Sequence, residues 1–268
     1  MNVSAETEVA AAVRSEVGVQ IVDFHTHIWG DRSDRDADTL MRMIDRYDLA
    51  WIGVSALVGG QQPTSRDVRS ANDTVAAFVR RAPKRIEGFG YLNPRHGPAA
   101  VDELKRCVER HGFGFVKLWV SAHADEPCVF PIIERCIDLE VAVLQHAFCK
   151  ATGLLEHEST PQHVANLARR YPEARIVMAH MGADFTFGCN AIRDCPNVRT
   201  DMSGTYCETG MIDYALRVLG AERIVFGTDA PGASFLNNLH KVLDAPLTTE
   251  QKRLIFHDNA EGLKRCRR

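Results

Sequence analysis

The chain has 268 residues, 45% of them hydrophobic and 25% charged, and carries a formal net charge of −3. That is the composition of a folded protein with ample apolar material for one large core; no run approaches the ~18 apolar residues of a membrane span. The basic residues are dispersed except in the closing "LKRCRR", which argues against nucleic acid as a partner, and the eight cysteines include no C-x-x-C pair of the kind that marks zinc ribbons or thioredoxin-like sites.

In chain order, "MNVSAETEVAAAVRSEVG" contains acids and lacks a basic start followed by an apolar stretch, so it does not read as a secretory signal. Residues 1–19 are expected to form a surface extension or short helix, and a cytoplasmic protein with reduced thiols follows. From residue 20 onward, apolar runs alternate with helical spacing. The strand candidates are "VQIVDFHTH", "AWIGVSAL", "RIEGFGYLN", "GFGFVKLWV", "VAVLQHAF", "ARIVMAHMG", "VRTDMSG" and "RIVFGTDAPG", rich in Val, Ile, Phe and Gly. Between them lie segments such as "DADTLMRMIDRYD", "VRSANDTVAAFVRRA" and "PAAVDELKRCVERHG". The last places Val101, Leu104, Cys107 and Val108 on one helix face. "PQHVANLARRYP", "TGMIDYALRVLG" and "TTEQKRLIFHDN" repeat the pattern, and Asp258 or Asn259 is expected to cap the final helix. Eight strands separated by helices predict an α/β fold, a distorted single-domain (β/α)8 TIM barrel over residues 20–268. No G-x-G-x-x-G follows the first strand, which disfavours a dinucleotide-binding open sheet.

Chemistry in such a barrel sits at the C-terminal strand ends. Those ends carry His25 and His27 on the first strand, Lys117 on the fourth, His146 on the fifth, His180 on the sixth and Asp229 on the eighth. Residues i and i+2 of a strand share a face, so His25 and His27 leave the backbone together as a pair of potential metal ligands. Imidazoles with one carboxylate suit Zn²⁺ and also Fe, Mn or Co. Alternation in "FGFVKLWV" turns Lys117 toward the barrel mouth. Trp29 and Trp119 follow site strands and are candidates for an apolar wall, while His123, Arg193 and Tyr206 are candidates for reading a substrate carboxylate from the loops. The remaining histidines, His96, His111, His157, His163, His240 and His257, read as surface residues.

"DFHTH", "QH", "AHMG", "FGTDAP" and the closing "DNAEGLKR" together resemble the amidohydrolase superfamily, in its amidohydrolase-2 branch that includes the aminocarboxymuconate-semialdehyde decarboxylase group. The resemblance covers roughly residues 20 to 265. It implies that His25, His27, His146 and Asp229 hold one divalent metal, usually zinc, with His180 beside it against the bound water or substrate. It also implies that the C-terminal segment seals the barrel. In other branches a fourth-strand lysine is carboxylated and bridges two metals; this branch has one, so Lys117 is expected unmodified.

The expectation taken forward is a metal-dependent hydrolase, with Asp229 and His180 catalytic, that turns an activated water on a small organic ester, lactone or amide. The same cage would serve a non-oxidative decarboxylase of a small aromatic or enoic acid. A non-catalytic binding protein on the barrel is a third reading, disfavoured because all the expected positions are filled. The partner is a small molecule; the composition leaves assembly into a homo-oligomer open.

Overall fold

The computed structural model describes residues 3–204 and 206–264. Helix α1 (Val3–Val17) comes first and buries Ala10, Val13 and Val17 against the rest of the protein. Eight strands follow: β1 (Val22–Trp29), β2 (Trp51–Leu57), β3 (Ile86–Leu92), β4 (Phe115–Leu118), β5 (Ala142–Gln145), β6 (Ile176–Met178), β7 (Val198–Asp201) and β8 (Ile224–Val225). All pairings are parallel, in the order β1 to β8. The seam between the last and first strands is closed by backbone just past β8. The Phe24 N–H donates to the Phe226 carbonyl at 3.0 Å, His27 N–H to Ala230 at 2.8 Å, and Asp229 N–H to His25 at 2.7 Å. The buried Asp23 carboxylate clasps the same seam, accepting from the Thr228 hydroxyl at 2.6 Å and its N–H at 3.0 Å. Burial pushes this carboxyl up to about 7. The chain is a single-domain (β/α)8 barrel, distorted in that β5 to β8 are much shorter than β1 to β3.

The outer layer comprises α2 (Ser33–Tyr47), α3 (Ser65–Val79), α4 (Pro98–His111), α5 (Phe130–Asp138), α6 (Pro161–Arg170), α7 (Phe185–Ala191), α8 (Met211–Leu219) and α9 (Phe235–Leu243). The chain continues through α10 (Thr249–Arg253), a π-helical turn at Leu254–Asp258 and α11 (Asn259–Glu261). On α4, Leu104, Cys107 and Val108 are buried and Val101 partly so, the stripe that the spacing predicts. Among the described residues, no helix is long and apolar enough to cross a membrane.

Strand alternation separates two apolar layers. Outward residues such as Ile52, Val54, Val116 and Ile176 meet the helices, while Phe24, Trp51, Phe89, Phe115, Leu144 and Val177 fill the barrel. Phe24 stands edge-on to Phe89 at 5.0 Å and to Phe115 at 5.1 Å between ring centroids. Ala260 and Leu263 enter this inner layer, Trp51 donates its indole N–H to Glu261, and the Lys264 ammonium lies 4.2 Å from the centre of the Trp51 ring. The C-terminal segment thus stops the end of the barrel opposite the strand C-termini, leaving the other mouth for a site. Capping by Asp258 or Asn259 is corrected: neither side chain caps α11. Asn259 is buried and donates to the Ala221 and Ile224 carbonyls, both at 2.7 Å, while Asp258 pairs with Arg253. The helix had already begun at the Thr248–Gln251 capping box.

One irregularity sets up the site. Between Asp23, paired with Ile52, and Thr26, paired with Val54, β1 advances three residues against two on β2. This bulge turns consecutive residues inward, Phe24 into the apolar layer and His25 into the mouth. Gly53 lies opposite, where a Cβ would stand 2.5 Å from the Phe24 carbonyl oxygen and 2.6 Å from the Phe89 ring.

Candidate metal centre

Past the bulge, His25 and His27 project into the mouth as the period-2 reading requires, with Nε2 atoms 2.9 Å apart. Asp229, reached through the turn after β8, places Oδ1 3.1 Å from His27 Nε2 and 3.9 Å from His25 Nε2. These separations bracket the edge of about 3.3 Å expected between donors of a tetrahedral zinc ion with bonds near 2.0–2.1 Å. His25, His27 and Asp229 therefore form one three-donor cluster.

The far side of each ring is committed. His25 Nδ1–H donates to Asp201 Oδ2 at 2.9 Å, and His27 Nδ1 lies 2.8 Å from the Ser55 hydroxyl. A carboxylate can only accept, so it fixes the proton of His25 on Nδ1 and directs the Nε2 lone pair at the cluster. Burial, aided by the Lys117 ammonium, pushes His25 down to about 3, so the ring is neutral at pH 7. Although burial opposes it, His25 with its hydrogen bond, and then His180 and Ser203 beside it, hold Asp201 well below the usual carboxylate range. Asp229 is held low in the same way, against burial, chiefly by His27. Neutral imidazoles and ionised carboxylates are the ligand forms a divalent ion needs.

Asp201 has a second task. Its Oδ1 accepts the N–H groups of His180 and Ser203, both at 2.9 Å. His180 lies in the left-handed region at φ 62°, uncommon for a residue with a side chain, and this bond helps to hold it there. His180 Nδ1 faces the Ser203 hydroxyl at 2.9 Å and carbonyl at 3.2 Å, and its ring centroid is 5.0 Å from that of His25. Asp229 has φ 65° and is anchored by its N–H bond to His25. Both lie beyond strands that end sooner than the apolar runs imply, so turns rather than strands aim these two side chains.

Lys117 is fully buried, points inward as alternation predicts, and puts Nζ 3.1 Å from His25 Nε2; burial pushes it down to about 8. His146 lies 5.1 Å from His180 between ring centroids, but its Nε2 is engaged by Glu158 at 3.0 Å, and it stands outside the three-donor cluster. Glu158 also meets Lys150 at 2.8 Å and accepts the Leu155 N–H at 3.0 Å. Trp29 and Trp119 pack edge to face at 5.8 Å on one side of the mouth. Tyr206 is exposed on the other, 5.7 Å from Phe148, whose ring is 5.3 Å from His180. Arg193 is corrected: it lies in the α7–β7 connection, where its carbonyl accepts from Arg223, at the opposite end of the barrel from the mouth.

The sequence reading missed Asp201, Ser55, Ser203, Glu158 and Phe148. Asp201 carried a usable signal, a carboxylate ending the seventh apolar run. Its role yields a prediction. Asp201→Asn no longer fixes the His25 tautomer and is expected to weaken divalent-metal binding 10–100-fold, the usual scale for losing a histidine's carboxylate partner. Titration against a metal buffer measures this, and unchanged affinity would defeat the assignment.

The model of the family described as Amidohydrolase matches residues 22–263. Among curated proteins, the chain is 23% identical to the 2-amino-3-carboxymuconate-6-semialdehyde decarboxylase of Dictyostelium discoideum, over 60% of this chain and 55% of that one. It is 25% identical to the gamma-resorcylate decarboxylase of Rhodococcus jostii, over 73% of this chain and 75% of that one. The chain thus spans about half the length of the first relative and three quarters of the second. Among solved structures, a dihydroxybenzoic acid decarboxylase from Polaromonas with bound manganese and 2-nitroresorcinol superposes with a TM-score of 0.72 at 20% identity, covering 91% of this chain and 96% of that one. That likeness concerns the fold. The expectation of hydrolysis is corrected by the curated relatives, which are decarboxylases.

Proposed function

The chain belongs to the amidohydrolase family, and from that premise we propose that it is a metal-dependent, non-oxidative decarboxylase of a small, planar aromatic or enoic carboxylic acid. The observation that carries the reading is that the two curated relatives named above remove CO₂ from such acids by name, while this chain gathers His25, His27 and Asp229 at the barrel mouth. Two imidazoles and a carboxylate fit zinc, and manganese as well. A divalent ion held there supplies the positive charge that draws electron density toward the substrate's oxygens.

The protein's own groups do the rest. Asp201 and Ser55 keep His25 and His27 oriented. Lys117 offers an ammonium at the floor to orient the substrate's anionic group. Trp29, Trp119 and Phe148 give the mouth aromatic faces suited to a flat substrate and keep bulk water from its ring. His180, with Nδ1 turned to Ser203, is left to contact a substrate oxygen through Nε2. In the reaction the C–CO₂⁻ bond breaks, its electron pair stays on carbon, and a proton takes the place of CO₂. Asp229, ionised at rest and part exposed at the mouth, is the group to take a proton from solvent there and pass it to that carbon.

The test is an assay of the metal-loaded protein on hydroxylated benzoates, 2,6-dihydroxybenzoate first, and on amino-carboxymuconate-type enoic acids. Stoichiometric CO₂ release, lost on chelation and restored by Zn²⁺ or Mn²⁺, is expected. Inertness toward both classes in protein shown to hold metal would reject the reading.

A further inference from the structure

Two loops outside the mouth bring together a second set of donors. The β4–α5 loop contains His123, Glu126 and Cys128 in "HADEPC", and the β5–α6 loop returns with His157. One donor atom from each of His123, Glu126 and His157 lies within 4.8 Å of the others. Cys128 Sγ is 4.0 Å from Glu126 Oε2, and the His163 ring is 4.4 Å from that of His123. In sequence His157 and His163 read as surface residues; the fold gathers them around His123. All of these side chains are half-buried, open enough for an ion to enter from solvent.

Two observations suggest that the cluster is built to hold a cation. His123 Nδ1 is buried and has no hydrogen-bond partner among the described residues. Leaving such an atom unpaired is unfavourable, so a ligand for it is the economical explanation. The second is Arg95, toward which the acceptors already converge. Its Nε donates to the Ser121 carbonyl at 2.7 Å. Its Nη2 donates to Glu126 at 2.9 and 3.2 Å and to His157 Nδ1 at 3.3 Å. Imidazole, carboxylate and a nearby thiol are the donors that zinc and its borderline neighbours prefer, whereas calcium and magnesium take oxygen alone.

We propose that His123, Glu126 and His157 form a second metal site, at the rim of the barrel, that binds a divalent cation of the zinc class, with the Cys128 thiol and the His163 ring close by as further donors. On binding, Arg95 leaves Glu126 and His157 and keeps its bond to Ser121. The ion adds a tie between two loops already joined by this arginine and by the Ala124 N–H, which donates to the Ser159 hydroxyl at 2.9 Å. His157 is next to Glu158, which holds His146, so the ion also fixes one wall of the mouth. The role is structural and independent of the reaction proposed above.

The test uses the full chain with His25→Ala and His27→Ala, which lacks both imidazoles of the mouth cluster, and titrates Zn²⁺ alone against a chromophoric chelator. One bound equivalent is expected. Adding His123→Ala or His157→Ala should weaken it a hundredfold or more, since changes one shell further out already cost 10–100-fold. Arg95→Met should tighten it about tenfold or more by removing a neighbouring positive charge. Zn²⁺ should also protect the β5–α6 loop from proteolysis, except in the His123 and His157 variants. If the mouth variant does not fold, elemental analysis of the otherwise unaltered chain decides: two equivalents of zinc, falling to one in His123→Ala/His157→Ala. No zinc in the mouth variant, or zinc bound with an affinity indifferent to His123 and His157, overturns the proposal.

Discussion

Replacing His25 and His27 together by alanine is expected to strip one equivalent of divalent metal from the protein, abolish its activity and leave it folded. The two rings supply two of the three donors of the His25–His27–Asp229 cluster, and His25 also belongs to the cluster with His180 and Asp201, so the double change leaves neither with three donors. Folding should survive because the apolar layer beneath, centred on Phe24, Phe89 and Phe115, makes no use of either imidazole. Ser55 and Asp201 lose partners, but the Asp201 carboxylate keeps the N–H bonds of His180 and Ser203. The cost is on the order of a few kcal/mol, from two cavities and a less well compensated buried charge. Elemental analysis with a thermal melt checks both halves. Retention of the full metal content in a folded double variant would remove His25 and His27 from the centre.

How much of this was legible in the sequence depended on whether the signal was local. His25 and His27 were readable because period-2 spacing alone decides their common face. Lys117 was readable for the same reason, in "FVKL". His180 and Asp229 were readable as polar residues ending apolar runs, although turns with positive φ, not strand continuations, direct them. Partners distant in sequence were not. Asp201 meets His25 across 176 positions, and Ser55 meets His27 across 28; nothing in composition or periodicity links such pairs. Glu158 reaches His146 from an irregular loop, where no period exists to read. The bulge at Phe24–His25 was invisible too, since strict alternation puts those two residues on opposite faces. Reaction type was the least legible, because the same floor of imidazoles and carboxylate serves hydrolysis and decarboxylation.

Asp229→Asn is expected to keep a reduced but measurable affinity for the metal and to lose on the order of 10²-fold or more in turnover. Asparagine preserves the shape of the side chain and one oxygen donor, so the contact now made 3.1 Å from His27 Nε2 can persist. What it removes is the ability to take up and deliver a proton. Asp229 is suited to that task by position: it is anchored to β1 through its own N–H, while its side chain remains about a third exposed toward the open mouth. The imidazoles around it, His27 first, hold it ionised against the effect of burial. Each transfer to a substrate carbon therefore begins with Asp229 taking up a proton from solvent at the mouth, a step that asparagine cannot perform. Losing a positioned acid–base group typically costs 10²–10⁴-fold, or roughly 3–5 kcal/mol of transition-state stabilisation. The measurement is CO₂ release under saturating substrate, alongside metal content of the same sample. Near-normal turnover would reject Asp229 as the proton carrier whatever the metal content, and turnover that falls only in proportion to metal content would reduce it to a ligand.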